Sequence, residues 1–187
     1  MAKLLRFRYT IAMTKYDDIY EIAADNYGLI TSSQAREIGV TNNELVQYAR
    51  RGKLERLGQG VYRLTRHVPS PLDTYALAVA LAGPNAYLSG ESVIAMLELG
   101  PTNPAFVHVS TQDRTRRKSP AWLDVNRAAE DEPVTAYEGI PSQPVASAIR
   151  SCRGKMMEER LIQATNNARA QGYISRSQAQ DLLEELS

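Results

Sequence analysis

Two helix openings ten residues apart constrain this chain more than anything else in it. The first is Thr31-Ser32-Ser33-Gln34 and the second is Thr41-Asn42-Asn43-Glu44. In both, a hydroxyl can accept the free backbone N–H of the first turn while the later Gln or Glu reaches back to the opening residue. Gly39 and Gly52 stand where each helix would stop, because glycine adopts the left-handed conformation there without penalty. Only Gly39 and Val40 separate the first helix from the cap of the second. So short a link forces the helices to cross, which is the geometry of a helix-turn-helix.

A further helix precedes this pair, over residues 17–27, with Ile19, Ile22 and Ala23 inward and Asp17, Asp18 and Glu21 near its positive end. After the pair, 53–57 and 61–64 alternate around Gly58-Gln59-Gly60 and read as a β-hairpin. Gly58 and Gly60 are both expected to supply positive φ in its turn. The sum is a winged helix-turn-helix over residues 16–66, with 42–51 as its recognition helix. Leu45, Ala49 and Val46 make the buried stripe of that helix. Thr41, Asn42, Asn43, Gln47, Tyr48, Arg50 and Arg51 are left to face DNA, joined by Lys53, Arg56, Gln59 and Arg63 from the wing. Amides at the start of a recognition helix can read base edges, and the arginines and lysine can hold phosphates. Between Arg50 and Arg66 there are six Lys or Arg and one acid, Glu55, and between Asp17 and Glu44 the balance reverses. A local basic patch is required, since the net charge of the whole chain is only +1. The alternative is a helical interaction module with a solvated basic face.

Residues 1–15 carry Lys3, Arg6, Arg8 and Lys15 with no acid and are expected to form a basic tail, with a DNA-contacting arm as the alternative. Met13 offers an alternative start. The tail has no continuous apolar core of the kind a signal peptide needs. Residues 67–72, with Pro69 and Pro71, read as a linker. Residues 73–187 read as a second, mixed α+β domain. Helices are expected over 73–82, from a cap at Ser89 to about 99, over 143–152, over 156–171 and over 175–186. Short strands are expected over 86–88, 106–109, 122–125 and 134–137. Gly-Leu-Ile-Thr-Ser-Ser-Gln-Ala at 28–35 recurs as Gly-Tyr-Ile-Ser-Arg-Ser-Gln-Ala at 172–179. We expect two corners built from the same local chemistry and not a duplicated domain.

Signs of catalysis are few. His67 and His108 have no second His or Cys at metal-ligand spacing, and there is no Gly-rich phosphate loop. Asp124 and Glu138 lie near expected strands, but no lysine follows them in a nuclease pattern. No enzyme, metal or cofactor is therefore expected. The lone cysteine, Cys152, excludes an internal disulfide and fits a reducing cytoplasm. No apolar run approaches the roughly 20 residues of a membrane span. Arg114, Arg116, Arg117 and Lys118 form a basic loop suited to a partner's acidic surface or to a second stretch of DNA, with a merely solvated loop between strands as the alternative.

The series extends in order across both halves. It runs from Gly-Leu-Ile-Thr-Ser-Ser-Gln-Ala at 28–35 to Arg-Arg-Gly-Lys-Leu-Glu-Arg-Leu-Gly-Gln-Gly-Val-Tyr at 50–62. Past the linker come Tyr-Leu-Ser-Gly-Glu-Ser-Val at 87–93, the strand at 106–109 and Tyr-Glu-Gly-Ile-Pro-Ser-Gln-Pro-Val at 137–145. Over residues 16–152 the chain resembles the AbiEi family of antitoxins from type IV toxin–antitoxin systems. The resemblance implies an N-terminal domain that represses its own operon by binding operator DNA, as a homodimer in one reading. It implies a C-terminal domain that counters a nucleotidyltransferase-like toxin, in a phage-defence setting. Two other readings stay open. One is a stand-alone regulator whose second domain senses a ligand or dimerises, and the other is an antitoxin that covalently modifies its toxin.

Overall fold

The computed structural model describes residues 14–113 and 119–186, and these fall into two compact units divided between His67 and Val68. The first unit runs α1 (Lys15–Ala24), β1 (Leu29–Thr31), α2 (Ser32–Glu37), α3 (Asn42–Arg50), β2 (Leu54–Gly58) and β3 (Val61–Leu64). Three helices followed by a hairpin give the layout of a winged helix-turn-helix. Ile19, Ala23, Ile30, Ala35, Val40, Leu45, Leu54, Tyr62 and Leu64 form one buried cluster, to which every helix and strand of the unit contributes.

The local chemistry of the turns is as the sequence implies. Thr31 and Thr41 each accept from the backbone N–H three residues on, and Gln34 and Glu44 reach back to the cap N–H at 2.9 and 2.8 Å. At the end of α2, Gly39 N–H reaches Arg36 O at 3.0 Å and Val40 N–H reaches Ala35 O at 2.8 Å. At the end of α3, Gly52 N–H reaches Ala49 O and Lys53 N–H reaches Tyr48 O, both at 3.0 Å. This paired closure around a left-handed glycine is the Schellman motif.

Several boundaries differ from the sequence expectation. The first helix is earlier and shorter than 17–27, because Thr14 caps it in a box with Asp17 and Lys15 is its first residue. Lys15 thus belongs to the fold and not to a basic tail, while the rest of that tail, residues 1–13, lies outside the described residues. Residues 29–31 form a strand that was not expected. β1 exists because β3 pairs with it, giving an antiparallel sheet ordered β1-β3-β2. In the wing, positive φ falls on Gly60 (75°) and not on Gly58, which sits instead beside a register shift between Arg56 and Gly58. Gly60 O accepts from Ser32 N–H at 2.8 Å, so the tip of the hairpin is tied to the start of α2.

The second unit comprises α4 (Asp73–Ala82), β4 (Tyr87–Leu88), α5 (Glu91–Met96), β5 (Val107–Thr111), β6 (Leu123–Arg127), β7 (Thr135–Tyr137), β8 (Ile140–Ser142), α6 (Val145–Ser151), α7 (Glu158–Ala170) and α8 (Arg176–Leu186). Its mixed five-stranded sheet is ordered β6-β5-β4-β8-β7, with β5–β6 and β4–β8 parallel and the other pairs antiparallel. Leu88, Val93, Ile94, Val109, Ile140, Ile149, Leu161 and Leu182 are among its buried side chains. Ser89 does not cap α5. Gly90 takes that place with φ 53° and ψ −131°, and Ser89 Oγ instead accepts from Ser110 Oγ at 2.9 Å. β8 was also unexpected, because Pro141 at its centre argues against a strand. The echo at 172–179 is a local corner: Gly172 closes α7 in a Schellman pair, and Ser175 and Gln178 cap α8 reciprocally. Gly28 does something different, since its carbonyl accepts from Leu64 N–H at 2.8 Å.

The wing tip generates a prediction. A Cβ on Gly60 would lie 3.2 Å from Ser32 Oγ on a backbone that β-branched residues avoid. Gly60→Val should cost roughly 1–3 kcal/mol of stability in urea unfolding. Gly58→Ala, which meets no positive φ, should cost clearly less.

Candidate nucleic-acid interface

α3 presents one exposed polar stripe. Asn43, Gln47 and Arg50 follow one another at i, i+4 and i+7, and all three are exposed, as are Asn42 and Arg51. Leu45 on the opposite side is fully buried. The stripe brings two amides and a guanidinium onto one face, a set able to contact base edges and phosphates.

Not every expected contact residue is available in the same way. Thr41 is exposed, but its hydroxyl is spent on the cap, accepting from Glu44 N–H and donating to Glu44 Oε2 at 2.9 Å. Tyr48 does not point outward. It is half-buried against the core cluster, with its ring centroid 5.4 Å from that of Tyr16. Burying the tyrosine ring removes apolar area from water that an outward rotamer would leave exposed. Lys53 is exposed, with its Nζ 4.2 Å from the Tyr16 ring centroid and 5.9 Å from that of Tyr48. The two rings thus hold the lysine at the end of α3 by cation–π attraction.

On the wing, Arg63 is matched across the β2–β3 register with Glu55 and donates to it at 2.9 Å. That pairing holds Arg63 in place and neutralises part of its charge. Arg56 is exposed and donates from Nε to Gly58 O at 3.3 Å, and Gln59 is exposed at the tip. Arg66 is exposed just beyond β3. Arg114, Arg116, Arg117 and Lys118 lie outside the described residues.

Sequence reasoning missed the residue that aims this surface. Lys15 Nζ donates to Gly39 O at 2.9 Å and to Glu44 Oε1 at 2.8 Å. One ammonium therefore ties the start of α1 to the turn between α2 and α3 and to the first turn of α3. The Lys15 contact, with the hydrogen bonds from Thr41, holds the Glu44 carboxyl down at about 2, below its ordinary 4.5. Nothing local marks Lys15, because its partners lie 24 and 29 residues away.

The sign of the Glu44 shift gives a pH dependence. A carboxyl with a depressed folded value adds stability that is complete above pH 4.5 and is lost as the pH falls toward 2. Glu44→Gln keeps a side chain able to reach back to the cap but has no charge to lose. In acid titrations followed by circular dichroism, the variant should lose less stability than the parent between pH 4.5 and 2. Equal losses would mean that Glu44 is not held as described.

Residues 17–65, which span most of the first unit, match the AbiEi_4 family, described as "Transcriptional regulator, AbiEi antitoxin". No curated protein matches the chain. Among solved structures it is similar to the crystal structure of the RV2827C protein from Mycobacterium tuberculosis. The identity is 13%, the TM-score is 0.36, and the match covers 90% of this chain and 80% of that one. The segment that carries the helix-turn-helix and its wing is thus the segment that matches the AbiEi_4 family of antitoxin transcriptional regulators.

Proposed function

We propose that this protein is a transcriptional autorepressor that binds operator DNA through its first unit and serves as the antitoxin to a nucleotidyltransferase-like toxin. The observation that carries the DNA reading is the exposed Asn43–Gln47–Arg50 stripe on α3, flanked by Lys53 and Arg56. The family match over 17–65 supports the same assignment. Asn42, Asn43 and Gln47 are the base-reading candidates in this proposal, and Arg50, Arg51, Lys53 and Arg56 hold phosphates. Tyr48 and Thr41 support α3 from within. Binding as a homodimer would place two recognition helices on a two-fold operator. The antitoxin function falls to the second unit, acting by binding and without a catalytic step of its own. The exposed positions that read or hold DNA act from a soluble, cytoplasmic chain in this proposal, and among the described residues no helix is long and apolar enough to cross a membrane.

Gel-shift titration of the full-length protein on its own promoter separates the two kinds of contact. Arg51→Ala should weaken operator and scrambled DNA alike and reduce the salt slope by about 1. Gln47→Ala should instead relax sequence preference, costing about 1–3 kcal/mol at one base pair. If both variants bind the operator like the parent, the DNA assignment of α3 is wrong. Co-expression of the full chain with the product of the neighbouring gene tests the antitoxin half. Growth rescue is expected, and no rescue would leave a regulator without a toxin.

A second reading, a regulator whose second unit senses a small ligand, is favoured by one specific observation. That unit contains a cleft of about 460 Å³ lined by polar side chains such as Ser89, His108 and Asn126 and by apolar ones such as Ala128 and Met156.

A further inference from the structure

One edge of the second unit's sheet is built to accept more chain. β7 is the last strand on its side and, among the described residues, pairs only with β8. Opposite Ala136 stands Pro141, which has no N–H to give. Their pair is therefore of the non-hydrogen-bonded kind, and the N–H and C=O of Ala136 point away from β8. An edge of this sort is a template for another strand, and proteins usually guard it with lysine or another charge. Residues 133–137 read Pro-Val-Thr-Ala-Tyr and carry no charge.

The two faces of the β7–β8 hairpin differ. Tyr137 and Ile140 lie in register on the inner face. Ile140 is buried, and Tyr137 meets the Tyr173 ring edge-on with 5.4 Å between centroids. The Tyr137 hydroxyl accepts from Val145 N–H at the start of α6 at 3.1 Å. Alternation puts Val134, Ala136 and Pro141 on the other face. All three are exposed, Val134 by 52%. Three adjoining apolar groups left in water beside an open strand edge are what a docked strand would cover.

The apolar strip runs into a hollow of about 490 Å³, whose lining includes Pro84, Tyr87, Asp113, Glu132, Val134 and Pro141. Tyr87 and Glu132 also border the 460 Å³ cleft, so the two depressions adjoin. Asn85 donates to Asp113 at 3.2 Å and Gln143 to Glu132 at 2.8 Å, and neither amide neutralises the carboxylate it holds. Glu130 and Asp131 stand exposed just before Glu132. Among the described residues, none of these four acids is in an ion pair, and no Lys or Arg lines the hollow. An enzyme that handles nucleotides needs cations to hold phosphate, so the toxin of the proposed function has a basic surface that an acidic one can cover. We propose that the β7 edge and this hollow form the toxin-binding surface. An extended segment of the toxin adds to β7 as a sixth strand, sets apolar side chains on Val134, Ala136 and Pro141, and places a basic one in the hollow with Asp113 and Glu132. In such strand addition, main-chain bonds supply affinity and alternate side chains supply selectivity. The inference rests on the antitoxin reading above and goes beyond it by fixing where the toxin docks.

The test uses the full-length protein and the purified product of the neighbouring gene, with affinity read by interferometry and function by growth rescue on co-expression. Ala136→Pro deletes an N–H that β8 does not use, and proline is tolerated at such edge positions. It should weaken toxin binding at least about tenfold, as should Val134→Asp, at unchanged melting temperature and operator affinity. If Ala136→Pro melts early, Val134→Asp decides. Asp113→Asn combined with Glu132→Gln should slow association and flatten its salt dependence. A parent that binds and rescues while Ala136→Pro and Val134→Asp bind as tightly overturns the surface and leaves the antitoxin reading standing. A parent that neither binds nor rescues overturns both. Loss of a homodimer in Ala136→Pro with toxin binding intact assigns the edge to a second copy of this chain, which also overturns the proposal.

Discussion

Lys15 Nζ sits between the Gly39 carbonyl and the Glu44 carboxylate, and the direction of α3 depends on that contact. An exposed ion pair in water stabilises a fold little. Its effect here is geometric. The carboxylate it holds is also the reciprocal half of the Thr41 capping box, so the first turn of α3 is fixed from inside and from α1 at once. Fixing the first turn fixes the whole helix, because nine residues of α-helix behave as a rigid rod on this scale. At its far end the Gly52 closure and the Tyr16–Tyr48 pair hold α3 in the same orientation, and Lys53 is placed by those two rings. The exposed stripe is presented by this frame and contributes nothing to it, which suits residues reserved for a partner.

The second unit solves a different problem. A five-stranded mixed sheet buries apolar side chains such as Leu88 and Val109, yet it carries His108, Ser110 and Asp124 at half-buried positions beside them. Such groups are tolerated only when their hydrogen bonds are met. Here they are met in two groups: His108 and Asn126 on Asp124 across β5 and β6, and Ser110 on Ser89 just after β4. Cys152 lines the same cleft with its thiol pushed up to about 11, chiefly by burial. It behaves as a packing residue and not as a nucleophile.

The sequence was most readable where the determinants are local. Both capping boxes, the glycine stops at Gly39 and Gly52 and the buried Leu45 involve residues within five positions of one another, so pattern and structure coincide. Reading failed where a distant partner decides. β1 is a strand because β3 lies beside it, and Lys15 is structural because of residues 24 and 29 positions away. Tyr48 turns inward because Tyr16 is there to receive it. The Ser89 hydroxyl reads as a cap in the sequence because nothing there shows that Gly90 adopts a mirror-region backbone or that Ser110 donates to the serine. Of the candidate DNA contacts, position and exposure followed from helical periodicity for Asn42, Asn43, Gln47, Arg50 and Arg51. The pairing of Arg63 with Glu55 required knowledge of the hairpin register.

In the function we propose, the α3 stripe and the wing form one DNA-facing surface. Backbone amide shifts of the full-length protein, recorded by NMR during titration with a duplex from its own promoter, test it most directly. The largest changes should cluster at Asn42, Asn43, Gln47, Arg50, Arg51, Lys53 and Arg56, with Leu45 and the α1 residue Ile19 little affected. Changes confined to the second unit, or saturating binding that leaves α3 and the wing unmoved, would contradict it.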